Sequence, residues 1–308
     1  MKQKILIIIA ILSLLQLEKV SAQSYFYNSE YYDTDILYEA GASFGIMNCL
    51  TDLGGHSGLG KRFLKDLNFG NTQVNGSIYA GLTYKETFGL RLEGTFGEVK
   101  SYDSILKENA NNTNGRYERN LSFKSKIAEI SLLAEFYPLA LLSNRKHFII
   151  VPYFMGGIGI FSFNPQATLN GRTVDLQPLS TEGQGFAEYP DRNPYSLTQI
   201  NIPLGIGFQH EASKDISIRA EILYRILFTD YLDDVSTTYI DPALFSKYFS
   251  GSKLNDALAL NDRRSNDNPN YPINPQGGQI RGTPKNNDAY FTFNIKVGYT
   301  FGRKKRRP

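Results

Sequence analysis

The residues whose types and spacing could support chemistry are few, and the sequence does not gather them. Gly55-His56-Ser57-Gly58-Leu59-Gly60-Lys61 has the glycine and lysine spacing of a phosphate-binding loop, in which backbone N–H groups cradle phosphates between a strand and a helix. Arg62 stands where such a loop needs a magnesium-binding hydroxyl, so glycines that serve turns are the simpler account. The histidines are His56, His147 and His210, and none has a Ser and an acid beside it on one face, as a hydrolase site at a rim would require. Ser143 is four residues from His147, but in a short connection. Asp262, Asn266, Asp267 and Asn268 offer oxygen ligands of the calcium type without the ordered spacing of a calcium loop. Cys49 has no second cysteine to pair with, which excludes an internal disulfide and a thiolate metal centre. No catalytic, cofactor-binding or metal-binding residue is therefore assigned, no cofactor is expected, and the protein reads as no enzyme. With 33 basic against 30 acidic side chains, nucleic acid is not an expected partner, nor is a nucleotide.

The elements that position the remaining side chains begin after a leader. Lys2 and Lys4 precede an apolar run over residues 5–17, and Val20-Ser21-Ala22 follows. This is the order of a secretory signal peptide, with an apolar run too short to cross a bilayer as a helix. The sequence divides into a signal peptide (1–22), a periplasmic N-terminal segment (23–35), a barrel (36–301) and a basic tail (302–308). No later stretch approaches eighteen consecutive apolar residues, so a membrane location would require a closed barrel of strands.

Eight segments alternate at the period of a strand: residues 36–46, 74–84, 88–96, 128–136, 148–160, 200–208, 216–226 and 291–301. The clearest sets Ile200, Ile202, Leu204, Ile206 and Phe208 against Gln199, Asn201, Gly205, Gly207 and Gln209. The weakest is the fifth, interrupted by Pro152. A soluble sandwich or barrel would alternate too, and the charges decide the sign of the faces. Arg91, Arg219, Arg225 and Lys296 share the polar face with Glu39, Glu93, Glu129, Glu135 and Glu221, in the middle of strands. Such balanced charge suits a small lumen filled by paired side chains, with the apolar face toward lipid. Short connections follow the second, fourth and sixth segments and long ones follow the others, as in an outer-membrane barrel of eight antiparallel strands with both ends in the periplasm. Residues 241–249 and 62–67 are candidate helical turns, and the Asn- and Asp-rich stretch 255–274 is expected to be mobile. The expected location is the cell outer membrane, with its lipid as the first partner.

At the N-terminal end Tyr25, Phe26, Tyr27, Tyr31 and Tyr32 crowd around Glu30, Asp33 and Asp35. Such a cluster suits a partner surface or an interfacial aromatic girdle, and both readings stay open. The basic tail could meet anionic head groups, the acidic N-terminal segment or a periplasmic protein.

Ser29-Glu30-Tyr31-Tyr32-Asp33-Thr34-Asp35, Glu39-Ala40-Gly41-Ala42-Ser43-Phe44-Gly45, Asn48-Cys49-Leu50-Thr51-Asp52-Leu53-Gly54-Gly55 and Lys65-Asp66-Leu67-Asn68 together resemble the PorG-like outer-membrane barrels of Bacteroidetes. The likeness is best over residues 29–99 and returns in the last segment, while the long final loop departs from the pattern. The resemblance implies an accessory barrel of the type IX secretion system that associates with a periplasmic ring containing lipoproteins, while cargo passes through a different, larger barrel. Two other functions compete with anchoring: a structural or surface-binding barrel whose extracellular loops take a ligand, and an outer-membrane enzyme acting on lipid or peptide.

Overall fold

Period-two alternation closes into a ring. In the computed structural model, which describes residues 34–54, 68–112, 116–141, 150–264 and 277–304, eight long strands form the wall. They are β1 (Ile36–Leu50), β2 (Gln73–Tyr84), β3 (Phe88–Tyr102), β4 (Ser122–Phe136), β5 (Ile150–Ser162), β8 (Thr198–Glu211), β9 (Ile216–Leu227) and β10 (Ala289–Phe301), with the short β6 (Pro165–Leu169) and β7 (Arg172–Asp175) between β5 and β8. Each wall strand pairs antiparallel with its neighbours, and β1 pairs with β10 from Tyr38↔Phe301 to Leu50↔Ala289, which closes the barrel. Pro152 is accommodated in β5 opposite Phe208 of β8.

The faces have the sign that lipid demands. Phe44, Ile130 and Ile158 are 68%, 65% and 68% exposed on the outside, with Phe96, Ile200, Ile222 and Val297 beside them, whereas the charged residues of the same strands are buried inside. A soluble barrel would show the reverse, because exposed apolar area on this scale is unfavourable in water. No helix among the described residues is long and apolar enough to cross a membrane. The strands are the crossing elements, and closure satisfies their backbone groups within hydrocarbon.

Connections of two lengths orient the barrel. At one end β2 and β3 are joined through Lys85 and Glu86, both at positive φ, the geometry of a tight hairpin turn. The described chain ends lie there too: Lys85 N donates to Asp35 O, and Lys304 N donates to Thr34 Oγ1. Arg303 of the basic tail meets Glu211 and the Lys214 carbonyl. Stacked Tyr38 with Phe301 and Phe88 with Phe136 line the outer surface at this end, as interfacial aromatics do.

At the other end the wall continues past the membrane. β3 and β4 stay paired from Phe88↔Phe136 to Tyr102↔Ser122, about 50 Å of strand at ~3.3 Å per residue, while a spanning strand needs only about 9–11 residues. Residues 98–102 and 122–127 therefore belong to a raised wall, where the sequence pattern suggests loop. β6 extends this wall by pairing with β4 at Lys124↔Gln166, and β6 and β7 form a hairpin. Its turn is Asn170-Gly171, both at positive φ, the strongest short-range hairpin signal, which the alternation of the long strands overshadows.

The loops at this end carry short helices. The loop between β3 and β4 holds α1 (Arg116–Arg119), and the last long loop holds α2 (Phe245–Tyr248) and α3 (Gly251–Asn261). The expectation of mobility over 255–274 is corrected over its first part, because α3 buries Ala257 and Leu260 on one face against the cap. The signal peptide, the five N-terminal aromatics, the glycine–lysine stretch, the candidate turn at 62–67, Ser143, His147, Asn266, Asp267, Asn268 and residues 305–308 lie outside the described residues.

Candidate functional site

Alternation turns the charged side chains of β1, β3, β4, β9 and β10 into one lumen, where they meet across the barrel. Arg91 on β3 donates from Nη1 and Nη2 to Glu221 on β9 at 2.6 and 3.0 Å, and its Nη1 lies 2.9 Å from Glu135 on β4. Glu93 faces Arg91 Nε at 3.2 Å and also pairs with Lys296 on β10, which lies 3.3 Å from Glu221. Nearer the end with the short turns, Arg219 joins Glu39 at 2.9 Å and Glu135 at 3.1 Å; nearer the other end, Arg225 joins Glu129 at 3.0 Å. All nine are buried. Removing ions from water costs several kcal/mol apiece, and a connected network recovers this only when most groups have partners.

Tyrosines complete the network, and a division of the strands into apolar and charged positions passes over Tyr79 and Tyr137. Tyr79 donates to Glu39 at 2.6 Å, Tyr137 donates to Glu135 at 2.7 Å, and Tyr153 donates to Glu221. The Tyr79 ring also lies within 5.1–5.8 Å of Lys296, Arg91 and Arg219. Tyr153 lies on the polar side of the fifth alternating segment, as the alternation places it, and Tyr79 shares the parity of the polar face in β2, which is the signal that could have found it. Glycines make room for these rings: a Cβ at Gly207 would overlap Tyr153, and one at Gly298 would overlap both Glu39 and Tyr79. The lumen is thus filled by side chains, as expected for eight strands.

Above the charges the interior turns apolar and continues into the loops. Met47, Val99, Ile127, Phe161 and Leu227 at the strand ends share one buried cluster with Leu176, Leu179, Phe186, Leu232, Ile240, Phe245 and Leu260. Two buried arginines tie the loops over this plug. Arg281 reaches Glu182 at 2.9 Å and the Asp234 carbonyl at 2.5 Å, and Glu182 in turn accepts from the backbone of Ser236 and Thr237. Arg119 grips Asp103 and donates to the carbonyls of Arg281 and Asp52, each at 2.6 Å. All four loops of this end are thereby joined into one cap. Burial opposes the charge of Arg281, and Glu182 and Asp234 overcome it to hold its pKa above the ordinary range.

A third group in the cap has no such compensation. Asp230, Asp233 and Asp288 are buried with Asp52 beside them. Both carboxyl oxygens of Asp230 and Oδ2 of Asp233 are without a hydrogen-bond partner among the described residues. Burial, reinforced by the charge of Asp233, pushes Asp230 up to about 9. Burial and neighbouring carboxylates also push Asp233 and Asp288 well above the carboxylate range. The nearby Arg119 is already engaged by Asp103. Among the described residues no group of three or more His, Cys, Asp or Glu is arranged to hold a metal ion. Burial and the neighbouring carboxylates thus favour the protonated form of all three. Of the other sequence candidates, His210 sits in β8 opposite Ile150 and Ile218, and Asp262 pairs with Arg264. Cys49 is a buried free thiol at the upper end of β1.

The chain is a closed eight-stranded β-barrel with an outward apolar band and an ionic interior, the construction of proteins of the bacterial outer membrane. A family model described as "Domain of unknown function (DUF6089)" matches residues 91–241, from β3 into the last long loop. A search of the curated proteins found no match. Among solved structures, the chain is similar to Ail, the attachment invasion locus protein of Yersinia pestis, in complex with the heparin analogue sucrose octasulfate: 9% identity, 87% of this chain and 99% of that one, TM-score 0.38. It is also similar to Neisserial surface protein A, at 10% identity over 86% and 97% of the two chains with TM-score 0.39. A major outer membrane protein from Thermus thermophilus gives 12% identity over 86% and 99%, with TM-score 0.36.

Proposed function

We propose that this protein is a sealed, non-enzymatic outer-membrane platform that works through its two ends. Its periplasmic end would serve as an accessory or anchoring surface for a ring of the type IX secretion machinery. The observation that carries the reading is the filled interior: Arg91, Arg225 and Lys296 are at most 2% exposed, and the Phe161 cluster closes the lumen above them. A barrel so filled has no passage for folded cargo, which leaves its surfaces to do the work. The resemblance of residues 29–99 to PorG-like barrels supports the periplasmic end, where residues 34–35 and 303–304 are joined beside the short turns. The leader over residues 1–22 supports export.

The test is a mild-detergent pull-down of the tagged full chain from outer membranes, identified by mass spectrometry, beside a version lacking residues 23–35. Ring lipoproteins retained by the full chain and lost by the shortened one support the anchoring role. A folded barrel recovered alone contradicts it. The folded cap favours a second reading, a surface-binding barrel, because four loops tied by Arg119 and Arg281 present a fixed extracellular surface. That reading predicts ligand binding that is lost when Arg281 is replaced and the barrel remains folded.

A further inference from the structure

The apolar band meets water differently around its upper edge. On most strands the outward positions there are neutral: Val74 and Thr72 at β2, Ser162 at β5, Thr198 at β8, Phe228 after β9 and Phe291 on β10. On β3 and β4 they are Glu98, Lys100, Lys124 and Lys126. Their neighbours Val99, Ser101, Phe123, Ser125 and Ile127 are buried inside, so alternation turns the lysines outward, in line with Phe96 and Ile130 on the lipid face. Ten residues separate Phe88 from Glu98, about 33 Å of strand at ~3.3 Å per residue. With a tilt of about 40° that rises roughly 25 Å, the height of the apolar band. The lysines therefore stand where the outer leaflet's head groups lie.

Their mutual placement is unfavourable without a counter-charge. Lys100 and Lys124 are direct cross-strand partners, and like charges directly opposite on one face repel. Arg263 adds a further cation at the same edge by donating to Ser122 Oγ at 3.4 Å, while its Nε has no partner among the described residues. The acids nearby relieve this only in part, because the three lysines and Arg263 outnumber them. Glu98 stands across from Lys126 but forms no ion pair with it among the described residues, and Asp175 accepts hydrogen bonds from the neutral amides of Asn164 and Gln166. We infer that the outer face of the β3–β4 edge, through Lys100, Lys124 and Lys126, binds a phosphate-bearing lipid headgroup of the outer leaflet. The acyl chains of such a lipid would lie along Phe96, Ala128, Ile130 and Ile160. This rests on the membrane-spanning barrel and is independent of the secretion role.

The experiment reconstitutes the full chain into vesicles containing lipid A with two phosphates and measures retained lipid by native mass spectrometry. A juxtamembrane lysine contributes about fivefold to anionic-lipid affinity, so Lys100→Gln/Lys124→Gln/Lys126→Gln should lose roughly a hundredfold. The triple Lys→Arg variant should retain binding, and Lys285→Gln, in the exposed last loop, should leave it unchanged. All variants are first checked for the folded barrel by heat-modifiable gel mobility. Lipid A without phosphates should bind the parent chain as weakly as the triple Gln variant binds the phosphorylated form. Inorganic phosphate should not displace the lipid. Equal retention by the folded parent and triple Gln variant, or equal retention of the dephosphorylated lipid, overturns the proposal. Displacement by inorganic phosphate also overturns it, because the site would then recognise a free anion and not a lipid.

Discussion

The lumen and the cap both bury acidic side chains, yet they treat the charge in opposite ways. In the lumen five carboxylates face four cations, and Arg91 alone touches three of the five. In the cap Asp230, Asp233 and Asp288 face one another, and the adjacent Arg119 is held by Asp103. The difference follows from what fixes the positions. Alternation along the strands turns Arg91 and Glu93 of β3 and Glu221 of β9 into the lumen wherever the loops go, so ionised pairs can be built across the barrel. The cap acids sit at a turn after β9 and just before β10, where loop path decides the neighbours, and burial without a paired cation pushes their pKa values up. The lumen is thus a structural filling held by charge, while the cap is a folded unit whose stability depends on pH.

The largest effect should come from Arg91→Leu. It leaves Glu221, Glu135 and Glu93 short of their shared cation and should cost about 3–5 kcal/mol, read as a lower urea midpoint for the folded gel band in lipid vesicles. A loss under about 1 kcal/mol would mean that the lumen charges are already satisfied by other means. Arg281→Met should cost a comparable or slightly smaller amount, about 3 kcal/mol, but confined to the cap. Hydrogen exchange should rise at residues 231–240 and 279–283 while β1, β2 and β10 stay protected. Loss of protection throughout the barrel would erase the distinction between the two regions.

A weaker effect separates the regions by pH. Asp230 has a folded pKa of about 9, above its ordinary value near 3.8, so its favourable contribution is complete below the ordinary carboxylate range and is lost as pH rises through about 9. Asp234, pushed up to about 6 by burial although Arg281 opposes the shift, follows the same sign at lower pH. Cap protection, corrected for intrinsic exchange, should therefore fall from pH 5 to pH 10, by at most about 1.4 kcal/mol per pH unit for each group. Asp230→Asn should flatten the alkaline part of the profile. A cap that becomes more protected with rising pH would contradict the protonated cluster. The smallest effect is expected at the exposed Lys247–Glu188 pair: because exposed ion pairs contribute little, Glu188→Gln should leave cap protection unchanged by the same exchange measurement.

Much of the wall is legible in the sequence because a strand in a filled barrel has a single rule, alternation, and each of the eight alternating segments lies within or overlaps a wall strand. The rule also carries its own omission, since Tyr79 obeys the parity of the polar face yet reads as apolar by residue type. What lies beyond the rule is harder to read. The upper halves of β3 and β4 turn Lys100, Lys124 and Lys126 outward in place of apolar residues, which makes strand look like loop. The hairpin of β6 and β7 is announced by Asn170-Gly171, and α3 by Leu254, Ala257 and Leu260 at helical spacing. The pairing of Arg281 with Glu182, ninety-nine residues apart, has no local trace, because it depends on how four loops meet.

The most direct test of a sealed barrel is conductance. The purified full chain, inserted into a planar lipid bilayer and verified as folded, should show no steady single-channel current at neutral pH, because among the described residues buried charges fill the lumen and an apolar cluster lies above them. Steady ohmic channels that scale with the amount of inserted protein would contradict the filled interior and the platform role built on it.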